Sequence, residues 1–221
     1  MTVHIWWIRR DIRLQDNPAL TAAVKGAQNL IPLFILEPDM LSKAAPNRRT
    51  FLLNALADLD EQLRRLGSRL ILRQGPAEEA LPAFAAEMGG AQVFAQEDFS
   101  PLARERDAGI ARKVDLTLTP GEVLRHPDQV LKSDGTPYVV FTPYQRKWRE
   151  SPLPSPVDCL PAPNSLPPLP ANLRSDSLPP VEPVSAFPAT AAAARARLNG
   201  FLTSGLRYYQ TQREDRKSTR L

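Results

Sequence analysis

A short segment near the start of the chain concentrates side chains that could bind a polar ligand: Arg9, Arg10, Asp11, Arg13 and Asp16. Guanidinium groups bind anionic or carbonyl-rich ligands through paired hydrogen bonds. The same arginines and acids can instead hold a loop rigid through salt bridges. The residue types alone leave both ligand binding and a structural role open for this arginine-rich segment.

Other side chains that could do chemistry are few, and this argues against several classes of enzyme. The two histidines are His4, for which we expect a structural role in a strand, and His126, for which we expect a capping or solvated role in a loop. No G-x-S-x-G segment occurs, so a Ser/His/Asp hydrolase is poorly supported. The single cysteine, Cys159, excludes an internal disulfide and a cysteine-based metal site. We assign no catalytic residue and no metal ligand.

The hydrophobic pattern predicts the elements that position the arginine-rich segment. Five short apolar runs alternate with helical patterns, which indicates a doubly wound, five-stranded parallel sheet of the Rossmann-like α/β class. In such sheets ligands bind beyond the carboxyl ends of the strands, where the arginine-rich segment lies. Pro32, inside the second run, indicates the beginning of the strand or an unpaired position. The predicted strands are 3–8, 30–36, 68–73, 91–95 and 114–118, and the predicted helices are 16–25, 48–66, 77–88 and 102–113.

The chain changes character after residue 118 because prolines accumulate. Twelve of the 23 prolines lie between Pro152 and Pro188, which predicts an extended connector. Residues 189–208 then form a predicted helix whose apolar face needs a surface to cover it. We therefore expect an α/β domain over 1–131, a connector over 132–188 that is proline-rich from residue 151, and the start of an all-α domain over 189–214.

Several motifs together resemble the DNA photolyase and cryptochrome family. The first runs from Trp7 to Leu20 and reads Trp-x-Arg-Arg-Asp-x-Arg-Leu-x-Asp-Asn-Pro-Ala-Leu. The order and spacing of the motifs, across residues 2–214, carry the resemblance. The others are Leu-Phe-Ile-Leu-Glu-Pro at 33–38, Glu-Asp-Phe-Ser-Pro at 97–101 with Arg104, Arg106 and Asp107 after it, and Tyr-Val-Val-Phe-Thr-Pro-Tyr at 138–144 with Trp148.

The resemblance implies a fragment of a deoxyribodipyrimidine photolyase, a carbon-carbon lyase that repairs cyclobutane pyrimidine dimers in light. In that family an antenna chromophore in the α/β domain passes excitation energy to reduced FAD in a helical domain. The excited flavin donates an electron to a dimer extruded from the DNA, the ring splits, and the electron returns. UV-damaged DNA would be the partner of the full-length protein, which we expect to be monomeric, and this fragment should be inactive. The family's electron-relay tryptophans would lie elsewhere, so Trp6, Trp7 and Trp148 are predicted to be structural.

Two alternatives stay open. A cryptochrome, a blue-light photoreceptor of the same family, would differ in the part of the helical domain that is missing here. A stand-alone nucleotide-binding α/β domain is an alternative of another class. Its discriminating feature is a phosphate-binding glycine loop, and neither G-x-G-x-x-G nor G-x-x-x-x-G-K-[ST] occurs in this sequence.

By the resemblance, eight residues would line the antenna pocket, with apolar walls for a flat ring and a few polar groups to orient it. From the residues alone, the two phenylalanines among them could equally belong to the core. Folate-binding members carry an Asn-Glu pair where this chain has Leu102 and Ala103, which cannot form those hydrogen bonds. We therefore expect a deazaflavin or flavin rather than a folate. The eight residues are Arg9, Arg10, Phe34, Leu36, Glu37, Arg48, Phe51 and Asp98.

The end of the chain carries two further implied contacts. The motif at 209–213 resembles one that precedes the flavin-binding loop of the family. Tyr209 would contact the phosphate region of FAD, or Tyr208 if the register differs by one, and Arg213 would contact a DNA phosphate. The alternative is an exposed helix end with a solvated arginine. Residues 215–221 depart from the family and match one reading frame of a common sequencing adapter, so we expect a non-native tail.

The overall composition predicts a cytoplasmic protein. No run of about 18 apolar residues occurs, so we expect no membrane span. The first residues read as a strand rather than as a secretory leader. The formal net charge of +4 permits a polyanionic partner without requiring one.

Overall fold

The computed structural model describes residues 2–121, 123–150, 152–153, 155, 158–182 and 187–212. The strands are β1 (Val3–Ile8), β2 (Asn29–Leu36), β3 (Ile71–Gln74), β4 (Gln92–Gln96) and β5 (Leu116–Thr119). The helices are α1 (Pro18–Val24), α2 (Pro38–Ser42), α3 (Pro46–Arg65), α4 (Ala77–Glu87), α5 (Pro101–Ala111), α6 (Phe141–Glu150), α7 (Ala191–Gly200) and α8 (Tyr209–Gln212).

The five strands form one parallel sheet in the order β3-β2-β1-β4-β5, which confirms the predicted doubly wound α/β fold. The chain builds outward from β1 through β2 to β3 and then returns to place β4 on the other side of β1. Connections leave β1 and β4 in opposite directions, and such a switch point opens a crevice beyond the strand ends. Because Arg9 follows β1 directly, the fold puts the arginine-rich segment at this crevice.

Two strands begin later than predicted because the residues before them are hydrogen-bonded to the preceding helix. The strand predicted over 68–73 starts at Ile71, since the Leu70 N–H donates to Asp60 Oδ1 of α3 at 2.7 Å. The strand predicted over 114–118 starts at Leu116, since the Val114 N–H donates to the Ile110 carbonyl oxygen at 3.1 Å in the turn after α5. The short helix α2 was not predicted.

Both faces of the sheet are buried. Ile5 and Trp7 of β1 lie in one core with apolar side chains of α4 and α5. His4 and Trp6 alternate to the other face, which α1 covers. The His4 ring lies there with Nδ1 2.8 Å from the Ala23 carbonyl oxygen, as expected of a structural histidine.

The proline-rich connector is hydrogen-bonded to the sheet at residue 168 and at residues 174–176. The Leu30 N–H donates to the Pro168 carbonyl oxygen at 3.2 Å, so this side of β2 meets the connector before β3 pairing begins at Leu33. Pro32 lies inside β2 and is in register with Trp6 of β1, so it is at neither the beginning of the strand nor a wholly unpaired position. Pairing with β3 begins only at the next residue, Leu33. Further along, the Asp176 N–H donates to the Leu72 carbonyl oxygen at 3.1 Å.

The chain divides into two compact units. The first consists of Met1–Lys43 and Leu59–Ser177 and contains the whole sheet, and the second consists of Ala44–Asp58 and Leu178–Leu221. In the second unit the Thr190 hydroxyl caps α7 by accepting from the Ala193 N–H at 3.1 Å. A π-turn (Phe201–Gly205) and a 3₁₀ turn (Leu206–Tyr208) join α7 to α8, so the predicted helix runs on to residue 212.

Candidate functional site

A cleft of about 210 Å³ lies beyond the carboxyl ends of β1 and β2 in the first unit. It is smaller than the roughly 300–1,000 Å³ of a pocket that encloses a whole ligand, so it suits a ring whose substituents remain outside. Five of the eight residues predicted for the antenna pocket line it. Its apolar lining is Trp7, Ile8, Phe34, Ile35 and Met40, and its charged lining is Arg9, Arg10, Glu37, Asp98 and Arg106.

A buried carboxylate anchors two of the arginines. Arg9 Nη1 donates to both carboxylate oxygens of Asp107 at 2.8 Å, and Arg106 donates to Asp107 Oδ1 from Nε at 3.0 Å and from Nη2 at 2.9 Å. Because the Asp107 side chain is only 4% exposed, its charge needs these partners. Arg9 Nη2 is buried and has no hydrogen-bond partner among the described residues, so it remains available to a ligand.

The same two arginines contact the indole of Trp7. The guanidinium carbon of Arg9 lies 4.7 Å from the ring centroid, and that of Arg106 lies 5.1 Å from it. Both distances are in the range of cation–π attraction. The guanidinium groups of Arg9 and Arg106 therefore hold the indole in place at the cleft.

Asp98 contributes an ionised carboxylate to the cleft. Burial alone would raise the pKa of Asp98, but the backbone N–H and hydroxyl of Ser100 and the guanidinium groups of Arg10 and Arg9 lower it below the ordinary value of 3.8. The Ser100 N–H donates to Oδ1 at 2.9 Å, and Arg10 Nη1 lies 3.6 Å from Oδ2. The carboxylate can accept a hydrogen bond from an N–H group of a ligand.

A second, much smaller cavity of about 10 Å³ adjoins Arg9, Arg10 and Asp98 and reaches Gln96 at the end of β4. Its volume is that of about one water molecule. The Gln96 side chain is buried, and neither its amide oxygen nor its amide nitrogen has a partner among the described residues. A bound water would satisfy these groups.

The rest of the arginine-rich segment holds the loop rigid, which is one of its two predicted roles. Asn17 caps α1 by accepting from the Leu20 N–H at 2.9 Å, and its Nδ2 donates to Asp11 Oδ2 at 3.1 Å and to the Arg13 carbonyl oxygen at 2.9 Å. Arg13 Nη2 donates to the Asp16 carbonyl oxygen at 2.8 Å. Arg13 is thus structural, whereas Arg9 and Arg10 line the cleft.

The other predicted site residues are each described by their own surroundings. Leu36 is buried within β2 and is not among the residues that line the cleft. Arg48 and Phe51 lie on the part of α3 that belongs to the second unit, and both are exposed. Tyr209, also in the second unit, is 54% exposed on α8 with its ring 6.0 Å from that of Phe201. Arg213 and the suspected tail 215–221 lie outside the described residues.

The remaining candidates carry no separate site. The His126 ring accepts a hydrogen bond from the Asp128 N–H at 3.3 Å and so caps a 3₁₀ turn (Pro127–Gln129), while Nε2 lies 3.0 Å from Glu97 Oε2.

Among the described residues, no three His, Cys, Asp or Glu side chains are grouped so that they could hold a metal ion. The same part of the chain contains no helix with the length and apolar character of a membrane span.

The five-stranded sheet and the cleft beyond its strand ends define a doubly wound α/β domain with a cleft at its switch point. The family model for DNA photolyase matches residues 4–164, and the chain belongs to that family.

Its relatives include photolyases and cryptochromes. The chain is 35% identical to the deoxyribodipyrimidine photo-lyase of Halobacterium salinarum, over 96% of this chain and 48% of the relative. It is 36% identical to cryptochrome-2 of Gallus gallus, over 59% of this chain and 24% of the relative. The crystal structure of a bacterial class III photolyase from Agrobacterium tumefaciens has a TM-score of 0.80 and 28% identity, over 96% of this chain and 46% of that one. The chain therefore spans less than half the length of these relatives.

Proposed function

We propose that the first unit binds a flat, flavin-like antenna chromophore in the cleft, as part of a photolyase that repairs DNA in light. The observation that carries the proposal is the cleft wall, which sets aromatic and aliphatic side chains beside a buried guanidinium with a free N–H group. Such a wall suits a fused ring with apolar faces and an edge of carbonyl and N–H groups. Membership of the photolyase family supports the same class of ligand.

Each lining residue has a role that its chemistry supports. Phe34 and Trp7 would pack against the ring and exclude water from it. Arg9 would donate from Nη2 to a ring carbonyl oxygen, and Asp98, held ionised, would accept from a ring N–H. When bound, the chromophore would supply the absorption of light and the transfer of its excitation energy.

A deazaflavin or flavin suits this chain better than a folate. Leu102 is 81% exposed at the start of α5, and Ala103, next to it, is buried. Neither side chain can hydrogen-bond to a pterin ring. For Arg48 and Phe51 a contact with the chromophore stays a prediction from the family resemblance.

The full-length protein would use FAD to split cyclobutane pyrimidine dimers in UV-damaged DNA. Tyr209 would contact the phosphate region of FAD, and Arg213 would contact a DNA phosphate. The chain studied here would bind the antenna chromophore but would not repair DNA. The protein would work as a monomer in the cytoplasm.

Direct binding tests the proposal. The purified chain is mixed separately with riboflavin, a 5-deazaflavin and a folate, and binding is followed by equilibrium dialysis and fluorescence anisotropy. We expect the first two to bind and the folate not to bind. Asp98→Ala should weaken binding by about tenfold, the loss expected for one charge-assisted hydrogen bond. Asp134→Ala, at an exposed turn, serves as the matched control. If none of the three compounds binds, the antenna function is refuted.

A cryptochrome is the second candidate, because cryptochrome-2 of Gallus gallus is also similar to this chain. The two functions differ in whether light drives repair. The full-length protein with its flavin reduced is illuminated in the presence of DNA that contains cyclobutane dimers, and dimer loss is measured. Repair supports the photolyase, whereas reversible flavin photochemistry without repair supports the photoreceptor.

A further inference from the structure

Trp7 combines two properties that matter for a photochemical site. It is among the residues that line the cleft, although only 2% of its surface is exposed, so a ligand in the cleft would come close to a largely covered indole. It also lies under the guanidinium groups of Arg9 and Arg106, at 4.7 Å and 5.1 Å from its ring centroid. A bound chromophore would therefore meet an indole that already contacts two cations.

An indole beside a photoexcited flavin ordinarily destroys the excitation. The excited ring is a strong one-electron oxidant, and tryptophan is readily oxidised. One electron leaves the indole and enters the excited ring, which forms an indole radical cation and a chromophore radical anion. Return of the electron restores both ground states and releases the energy as heat. In van der Waals contact this loss competes with transfer of excitation energy.

The charges around Trp7 oppose formation of that radical cation. Arg9 and Arg106 share the single carboxylate of Asp107, so two positive groups and one negative group leave the triad with one net positive charge. Asp107 accepts hydrogen bonds from both guanidinium groups. Because the side chains of Asp107, Arg9 and Arg106 are 4%, 9% and 25% exposed, water screens the repulsion only in part.

We propose that the Arg9–Asp107–Arg106 triad suppresses electron transfer from Trp7 to a photoexcited chromophore in the cleft. The inference rests on the proposed function, because it requires a chromophore to bind there. Trp7 then provides a flat apolar wall without quenching the ligand. Arg106 acts through the indole and is a positioning residue for the photochemistry.

Time-resolved fluorescence of bound riboflavin tests the proposal. Arg106→Gln removes the net positive charge of the triad, and we expect the fluorescence lifetime of the bound flavin to shorten by about three- to tenfold. Arg106→Lys keeps the charge and should keep the wild-type lifetime. In the double variant Arg106→Gln/Trp7→Phe the electron donor is gone, and the long lifetime should return. Lifetimes are taken from the bound fraction, so a change in affinity does not affect them.

The possible outcomes separate this proposal from the binding proposal. An unchanged lifetime in Arg106→Gln, or a lifetime that stays short in the double variant, overturns the role of the triad and leaves chromophore binding intact. If neither riboflavin nor a deazaflavin binds to the wild-type chain, both proposals fail. Should Trp7→Phe not fold, transient absorption of flavin-bound Arg106→Gln must show the indole radical cation as the excited flavin decays. Its absence also overturns the role of the triad.

Discussion

Arg9 and Asp107, which are 98 residues apart in the sequence, form a buried ion pair in which Arg9 Nη1 lies 2.8 Å from both carboxylate oxygens. Arg9 follows β1, and Asp107 lies on α5, the helix after β4. The pair therefore joins the two sides of the switch point of the sheet. It fixes one wall of the cleft, and it leaves Nη2 of the same guanidinium without a protein partner.

Asp107→Asn should be strongly destabilising. The substitution leaves two arginines without their carboxylate, one of them buried, and breaking such a buried pair costs about 3 kcal/mol in the free energy of unfolding. Urea denaturation measures this cost. Asp39→Asn removes an exposed carboxylate that pairs with Lys43 and should cost less than about 1 kcal/mol. If both substitutions lowered the free energy of unfolding equally, the Arg9–Asp107 pair would stabilise the fold no more than an exposed pair does.

Asn17→Ala should lower stability by about 2 kcal/mol, because the cap of α1 and the hydrogen bonds to Asp11 and to the Arg13 backbone disappear together. Thermal unfolding provides the measurement. Thr190→Ala removes the cap of α7 alone and should cost about 1 kcal/mol. A smaller effect at Asn17 than at Thr190 would show that the loop does not depend on this side chain.

The pKa of the Asp98 carboxyl should rise in Arg10→Gln, since the substitution removes one of the attractions that lower it. Titration of the carboxyl carbon by NMR measures the change directly. Arg104→Gln, on the exposed side of α5, is the control and should leave the pKa of the Asp98 carboxyl unchanged. An unaltered titration in Arg10→Gln would exclude the contact between Arg10 and Asp98.

The lowered pKa of Asp98 also fixes the sign of a pH effect on stability. A carboxyl whose pKa is lower in the folded chain stabilises the fold above its unfolded pKa of about 4, and that contribution is lost as the pH falls through the folded pKa. The difference in unfolding free energy between the wild-type chain and Asp98→Asn should therefore shrink between pH 7 and pH 3. A difference that grows on acidification would contradict this assignment.

Gly121→Ala should be destabilising by about 1 kcal/mol, the low end for overpacking, because the flexible end of the buried Gln96 side chain must shift to make room for a methyl group. Its Cβ would lie 2.6–2.8 Å from the amide atoms of Gln96. Gly109→Ala is the matched control, since its Cβ, inside α5, comes no closer than 3.8 Å to another side chain. Alanine should be neutral or stabilising at this second position. The double variant Gly121→Ala/Gln96→Ala should recover part of the loss.

The parts of the structure that depend on local pattern could be predicted from the sequence. The strands are apolar runs long enough for a sheet buried on both faces, so their number, their parallel arrangement and the position of Arg9 at a strand end followed from them. The capping role of His126 also followed from its place in a loop. The predicted strand starts at 68 and 114 were wrong because Leu70 and Val114 donate hydrogen bonds to the preceding helices.

Contacts between distant residues could not be predicted from the residues alone. Arg106 and Asp107 were visible in the sequence as a motif, but their pairing with Arg9 depends on how α5 packs beside β1. Gln96 carried no signal, since a polar residue at a strand end is ordinary until its amide is found buried without a partner. The positions of Arg48 and Phe51 relative to a chromophore stay predictions.

The connector that pairs with β3 has a consequence for the way the α/β unit behaves when it is shortened. Residues 174–176 supply a side-chain and a backbone hydrogen bond to Leu72, and Leu173 is buried in the same core as the sheet. A chain cut at residue 131 would expose the outer edge of β3, and a bare strand edge recruits strands from other molecules. Such a shortened chain should therefore aggregate, whereas one that extends to residue 177 should not, and light scattering at equal concentrations distinguishes the two.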